Sequence, residues 1–291
     1  DEGETAPSSV SGGVGYIPWF LAASCLLAAG CRESKPGGQG GAGGLSGSGG
    51  WAGVGGSGGS VSCSSAPEVV SFVTDDGVKL EADDYPTGEG FGPSVVLLHM
   101  IPPANDRTNY PKVFIDALLA KKVRVLAVDR RGAGASEGVA QAAYTGPNGK
   151  LDVKAALRHL TSGECGVDPL RIGVVGASNG TTSALDYTVH AAQNPDETFP
   201  GALVFLTGGT YTENQNVLGD HHADLDALPI QFVHSAAESA WSKGYQSGAP
   251  ATWRFEELDP GDLVSMLCYA GPRGVHLVAG FLREVLCSDL E

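Results

Sequence analysis

With 291 residues and 42% apolar content, the chain is long enough to bury a full core. Of its 43 glycines, 14 crowd between residues 37 and 59, so the core must come from about residue 67 onward. A formal net charge of −15 repels phosphate backbones and anionic headgroups, which sets nucleic acid aside as a partner. A solvated acidic face explains that charge equally well, so it says nothing positive about a substrate.

In chain order, the first feature is an apolar run over 17–29, IPWFLAASCLLAA. It is shorter than the roughly 20 residues that span a bilayer and reads as a signal-peptide core. Its continuation, Leu27-Ala-Ala-Gly-Cys31, resembles a bacterial lipobox. That resemblance implies a lipidated Cys31, attachment to a membrane and a protein exported to the cell envelope; a secreted or periplasmic protein with an ordinary cleaved signal, or a buried helix, is the alternative. Residues 1–35 are thus expected to form an export segment. Residues 36–66, mostly Gly, Ser and Ala, are expected to be a flexible linker, because such a stretch buries too little apolar area to offset its chain entropy. A linker of that composition reaches roughly 30 Å, enough to hold an anchored domain clear of a surface. No Gly-Lys-Ser/Thr ending follows it, so a phosphate-binding loop is not expected.

Residues 67–291 are expected to be one α/β domain. Runs at 68–73 and 78–83, separated by Asp75-Asp-Gly77, predict an opening hairpin. Continuous apolar runs at 95–98, 123–128, 172–175, 202–206, 230–233 and 252–258 predict buried parallel strands. Helical stretches are expected at 110–121, 150–160, 179–192 and 272–286. Such alternation predicts a mostly parallel central sheet with helices on both faces.

The pattern G-x-S-x-G occurs three times, centred on Ser57, Ser136 and Ser178. In a strand-to-helix turn it exposes a serine hydroxyl above a sheet. Ser57 falls in the linker and Ser136 lies well past a strand end. Only Ser178 directly follows a strand, at Arg171-Ile-Gly-Val-Val175, and opens a helix at Asn179.

Three motifs together resemble the α/β-hydrolase superfamily over nearly all of 67–286: Leu97-Leu-His99-Met100, Asp129-Arg-Arg-Gly-Ala-Gly-Ala-Ser136, and Asp168-Pro-Leu-Arg-Ile-Gly-Val-Val-Gly-Ala-Ser178. Their order and spacing are most similar to compact dienelactone-hydrolase-like and esterase-like members without a large cap domain. The resemblance implies a serine hydrolase acting on a small-molecule carboxylic ester through an acyl-enzyme, with no cofactor. Ser178 would be the nucleophile, and the backbone of Asn179 with that of Ile101 or Met100 would form the oxyanion hole, although Met100 stands where the family usually has glycine. In Ile230-Gln-Phe-Val-His-Ser-Ala-Ala-Glu238, Glu238 takes the place of the family's acid. The family's histidine follows the last strand, but Asp259-Pro-Gly-Asp262-Leu263 contains none; His276, 18 residues past Leu258, is the later candidate. A binding protein of the same fold with an incomplete triad is the alternative.

Asp129 and the glycines after it mimic a dinucleotide fingerprint, but a third glycine and an immediate helix are missing. His221 and His222, near Asp220 and Asp224, fit no spaced metal motif and read as a solvated loop. The stretch 211–228 is where the family inserts a lid, and its shortness implies an open site for modest substrates. Export would permit disulfides. Cleavage before Cys31 would leave Cys63, Cys165, Cys268 and Cys287, of which Cys268 and Cys287 flank the last helix and form the first pair to expect; three pairings exist, and buried free thiols are the alternative.

Overall fold

The computed structural model describes residues 63–88, 92–145, 147–163, 165–259 and 272–287. The expected export segment with Cys31, the linker up to residue 62, Ser57 and Cys268 lie outside the described residues.

Among the described residues, eight strands form one sheet: β1 (Glu68–Val73), β2 (Lys79–Tyr85), β3 (Ser94–Leu98), β4 (Arg124–Val128), β5 (Ile172–Ala177), β6 (Ala202–Leu206), β7 (Ile230–Ser235) and β8 (Trp253–Leu258). Their order is β1-β2-β4-β3-β5-β6-β7-β8, and only β2 runs against the rest. The helices are α1 (Lys112–Ala120), α2 (Ala140–Tyr144), α3 (Gly149–Thr161), α4 (Gly180–Ala192), α5 (His222–Leu225), α6 (Ala240–Gln246) and α7 (Pro272–Cys287).

The sheet has two apolar faces because successive strand side chains point to opposite sides. In β3, Val96 and Leu98 join Val153, Leu157 and Leu160 of α3 and Leu185 of α4. Val95 and Leu97 join Phe114 and Leu118 of α1 and Val278 and Leu282 of α7. Each such fully buried aliphatic side chain contributes about 1.5–3 kcal/mol relative to exposure, so the period-two pattern holds helices on both sides. Between β6 and β7 lie only a short 3₁₀ turn at Leu218–His221 and α5, so no cap domain is inserted there.

Cys63 is disulfide-bonded to Cys165, with a Cα–Cα distance of 5.7 Å, while Cys287 is free. This corrects the expected Cys268–Cys287 pair. The Cys287 sulfur instead accepts a hydrogen bond from Arg171 Nη2 at 3.2 Å. The bridge joins residues 102 apart in sequence, which restricts the unfolded chain. Replacing Cys63 and Cys165 together by serine is expected to lower stability by about 2–4 kcal/mol. Urea unfolding of the oxidised parent and the double variant checks this, and coincident midpoints would contradict it.

Candidate active site

β5 ends at Ser178, whose φ of +48° is uncommon for a residue with a side chain. Its backbone N–H donates to the Leu206 carbonyl at 2.8 Å, and its carbonyl accepts from Thr181 N at 2.9 Å, fixing the turn between β5 and α4. Glycines on both sides are required by close approach. A Cβ on Gly176 would lie 2.7 Å from the Gly180 carbonyl, and one on Gly180 would lie 2.5 Å from the Leu98 carbonyl oxygen. The strand, the helix and the end of β3 can therefore meet only without side chains there. The Ser178 side chain is half-buried, at the carboxyl ends of the parallel strands, where open α/β sheets bind ligands.

Ser136 is bonded differently. Its hydroxyl donates to the Asp129 carbonyl at 2.6 Å and accepts from Glu81 N at 2.8 Å, tying a loop to β2. The glycine-rich stretch around it also proves structural. A Cβ at Gly134 would sit 2.0 Å from Asp129 Oδ2, and Asp129 receives hydrogen bonds from Ala135 N and from Arg107. Those glycines make room for a carboxylate of the same chain, which is why they imitate a dinucleotide fingerprint. The neighbouring Arg131 pairs with the fully buried Asp152 through Nε at 2.8 Å and with Asp76 at 2.7 Å.

The end of β3 faces this turn. His99 is fully buried, its Nδ1 donating to the Met100 carbonyl at 2.8 Å and its Nε2 accepting from Arg130 N at 2.9 Å. That network places the proton on Nδ1 and keeps the ring neutral. Burial, reinforced by the Arg130 charge, holds the His99 pKa down at about 3. The unfolded chain therefore takes up a proton near pH 6.5 that the folded protein refuses, so stability falls as pH drops from about 6.5 toward 3. The expected loss is about 2 kcal/mol by pH 5, at about 1.4 kcal/mol per pH unit. Denaturant titrations at pH 7 and pH 5 should show a smaller difference for His99→Gln than for the parent; equal differences would contradict this assignment.

Met100 is buried and Ile101 is 43% exposed. Asn179, 1% exposed, follows Ser178, with its side chain accepting from Arg130 Nη1 at 2.8 Å and donating to Thr212 Oγ1 at 3.3 Å. The structure thus gathers Ser178, Asn179, Met100 and Ile101 around the junction of β3, β5 and α4.

Among the described residues, neither Glu238 nor His276 hydrogen-bonds to a side chain of that group. Glu238 is exposed in a 3₁₀ turn after β7, its N–H donating to Ser235 Oγ at 3.2 Å. His276 lies near the start of α7 and is exposed, while its neighbours Val275 and Val278 pack into the core. Among the described residues, no imidazole hydrogen-bonds to the Ser178 hydroxyl. The sequence segment 260–271, between β8 and α7, is outside the described residues.

Several residues beside the turn went unpredicted. Thr207, directly after β6, has a φ of +50°, an unfavourable conformation for a β-branched side chain. Its carbonyl accepts from the Tyr211 phenol at 2.6 Å. Gln215 holds the same loop by accepting from Thr182 Oγ1 at 2.7 Å and Tyr211 N at 3.0 Å and donating to the Gly209 carbonyl at 3.0 Å. Arg130, in the variable position of its motif, is with Arg131 the largest fully buried side chain among the described residues. Arg130 is bonded to segments far away in sequence, and the local bonds of Thr207 and Gln215 belong to no motif or periodicity that the sequence displays. His221 engages Asn216 Oδ1 at 3.1 Å and His222 engages Asp226 Oδ1 at 2.7 Å, and the His222 ring stacks on Trp253.

Comparison with solved structures places this architecture among known ones. An esterase of Pyrococcus furiosus is 19% identical, with a TM-score of 0.59 over 76% of this chain and 92% of its own. The hydrolase GrgF from a Penicillium species is 12% identical, with a TM-score of 0.56 over 76% of this chain and 99% of its own. A predicted CIB-like hydrolase from Thermoplasma acidophilum is 15% identical, with a TM-score of 0.55 over 75% of this chain and 100% of its own. No family model and no curated protein matches the sequence.

Proposed function

We propose that this chain, which has the α/β-hydrolase fold, is a serine hydrolase that cleaves carboxylic esters through an acyl-enzyme on Ser178. The observation that carries this reading is the Ser178 turn itself: a half-buried serine at φ +48° between a central strand and a helix, beside backbone donors at Asn179 and at the end of β3. Strain of that kind persists only where the surroundings enforce it, as at a nucleophile. Esterases and hydrolases among the fold's solved relatives support the reaction class.

In this mechanism His276 removes the Ser178 proton as Oγ bonds to the ester carbonyl carbon. The N–H groups of Asn179 and Ile101 or Met100 hold the oxyanion. The imidazolium gives its proton to the departing alkoxide, and water then clears the acyl group by the same steps. Glu238 orients the imidazole. The short, internally bonded loop after β6 leaves the site open and suits modest acyl groups. A short-chain aryl ester tests the reaction: the account expects saturable turnover, declining with acyl length and preceded by a burst equal to the enzyme concentration. No turnover above background would sink it.

We also place the protein outside the cytoplasm, anchored through a lipidated Cys31 or released as a secreted or periplasmic protein. The Cys63–Cys165 disulfide supports an oxidising compartment. A second reading, a binding protein of the same fold with an incomplete triad, would be favoured by a His276 beyond hydrogen-bonding reach of Ser178.

A further inference from the structure

Arg130 is a charged side chain with 0% exposure, yet among the described residues no carboxylate lies within ion-pair distance of it. Its acceptors are neutral. Nη1 donates to Asn179 Oδ1 at 2.8 Å and to the carbonyls of His99 and Met100, each at 3.3 Å. Nη2 donates to the Ala143 carbonyl at 3.1 Å and Ser183 Oγ at 2.9 Å, while Nε has no hydrogen-bond partner. Asp152 acts on Arg130 only through space and is already paired with Arg131, and burying a guanidinium without a bonded counter-charge is costly. Burial lowers its pKa to about 10, so it remains charged at neutral pH.

The three Nη1 acceptors are the informative ones. In a trans peptide the C=O and N–H point in opposite directions. Holding the His99 and Met100 carbonyls toward Arg130 therefore turns the N–H groups of Met100 and Ile101 away from it. Those two N–H groups are the donor candidates contributed by the end of β3, and Met100 occupies a place where glycine would leave the backbone freer to rotate. The same Nη1 fixes the side chain of Asn179, whose backbone N–H is the other donor. One nitrogen thus ties together both halves of the oxyanion hole, and a positive charge sits behind it in a low-dielectric interior.

We propose that Arg130 is a positioning residue for ester hydrolysis, clamping the two backbone donors and leaving its buried charge to be balanced by the oxyanion as it forms. This rests on the assignment of Ser178 as nucleophile. Because the oxyanion exists only after attack, the residue acts on the transition state and leaves ground-state substrate binding unchanged.

The test compares wild type, Arg130→Met and Arg130→Lys on a short-chain aryl ester and on binding of an aryl trifluoromethyl ketone, which forms an oxyanion adduct with a serine. Arg130→Met is expected to lower kcat roughly 100-fold with KM held, and to weaken ketone binding by a similar factor. Arg130→Lys retains the charge without the planar fork and should fall between, roughly tenfold below wild type on both readouts. Should the methionine variant not fold, the lysine variant decides. A folded variant with wild-type kcat, or one altered in KM alone with ketone affinity intact, overturns the proposal. Wild type without turnover removes the hydrolase assignment and this proposal together, whereas active wild type with unaffected Arg130 variants removes this proposal alone.

Discussion

Ser178→Ala is expected to lower ester turnover by a factor on the order of 10⁴ or more while leaving the fold intact. The nucleophile supplies the covalent route, and what remains without it is the weaker catalysis of the oxyanion donors and binding. The fold should survive for a local reason. The hydroxyl has no hydrogen-bond partner among the described residues, whereas the turn is held by the Ser178 backbone through Leu206 and Thr181. Alanine at φ +48° keeps the same backbone strain as serine. Steady-state kinetics with a short-chain aryl ester, together with a thermal melt, measures both parts. Wild-type turnover in the variant would show that the chemistry lies elsewhere.

His276→Ala is expected to reduce kcat by roughly 10³-fold or more, since without a base the serine hydroxyl is a weak nucleophile near neutral pH. Added imidazole should restore part of the lost rate in this variant and none in Ser178→Ala. Stability should hardly change, because the side chain is exposed on α7 and the helix is anchored by Val275, Val278, Phe281 and Leu282. An unaltered rate would remove His276 from the mechanism and favour the binding reading if wild type is also slow.

The sheet was legible because its parallel strands are covered on both faces and so appear as uninterrupted apolar runs. Each expected strand from 68–73 to 252–258 has its counterpart in β1 to β8. Helices α2, α5 and α6 were not expected, since stretches of 5, 4 and 7 residues are too short to show a helical period. Ser178 could be separated from Ser57 and Ser136 only by the strand before it and the helix after it. The burial of Arg130 had no trace in sequence, because a second arginine follows it and nothing local says which one pairs with Asp152. Arg131 does, and Arg130 is left among carbonyl oxygens. The disulfide was unreadable for the same reason: Cys63 and Cys165 are joined by the fold and not by proximity along the chain.

The most direct test of the central claim is to treat the folded protein with a fluorophosphonate, weigh the intact product and map the modified peptide. The account predicts one adduct per chain, located on the peptide containing Ser178 and absent from Ser178→Ala. A folded protein that takes up no adduct, or one modified at Ser57 or Ser136 instead, would contradict it.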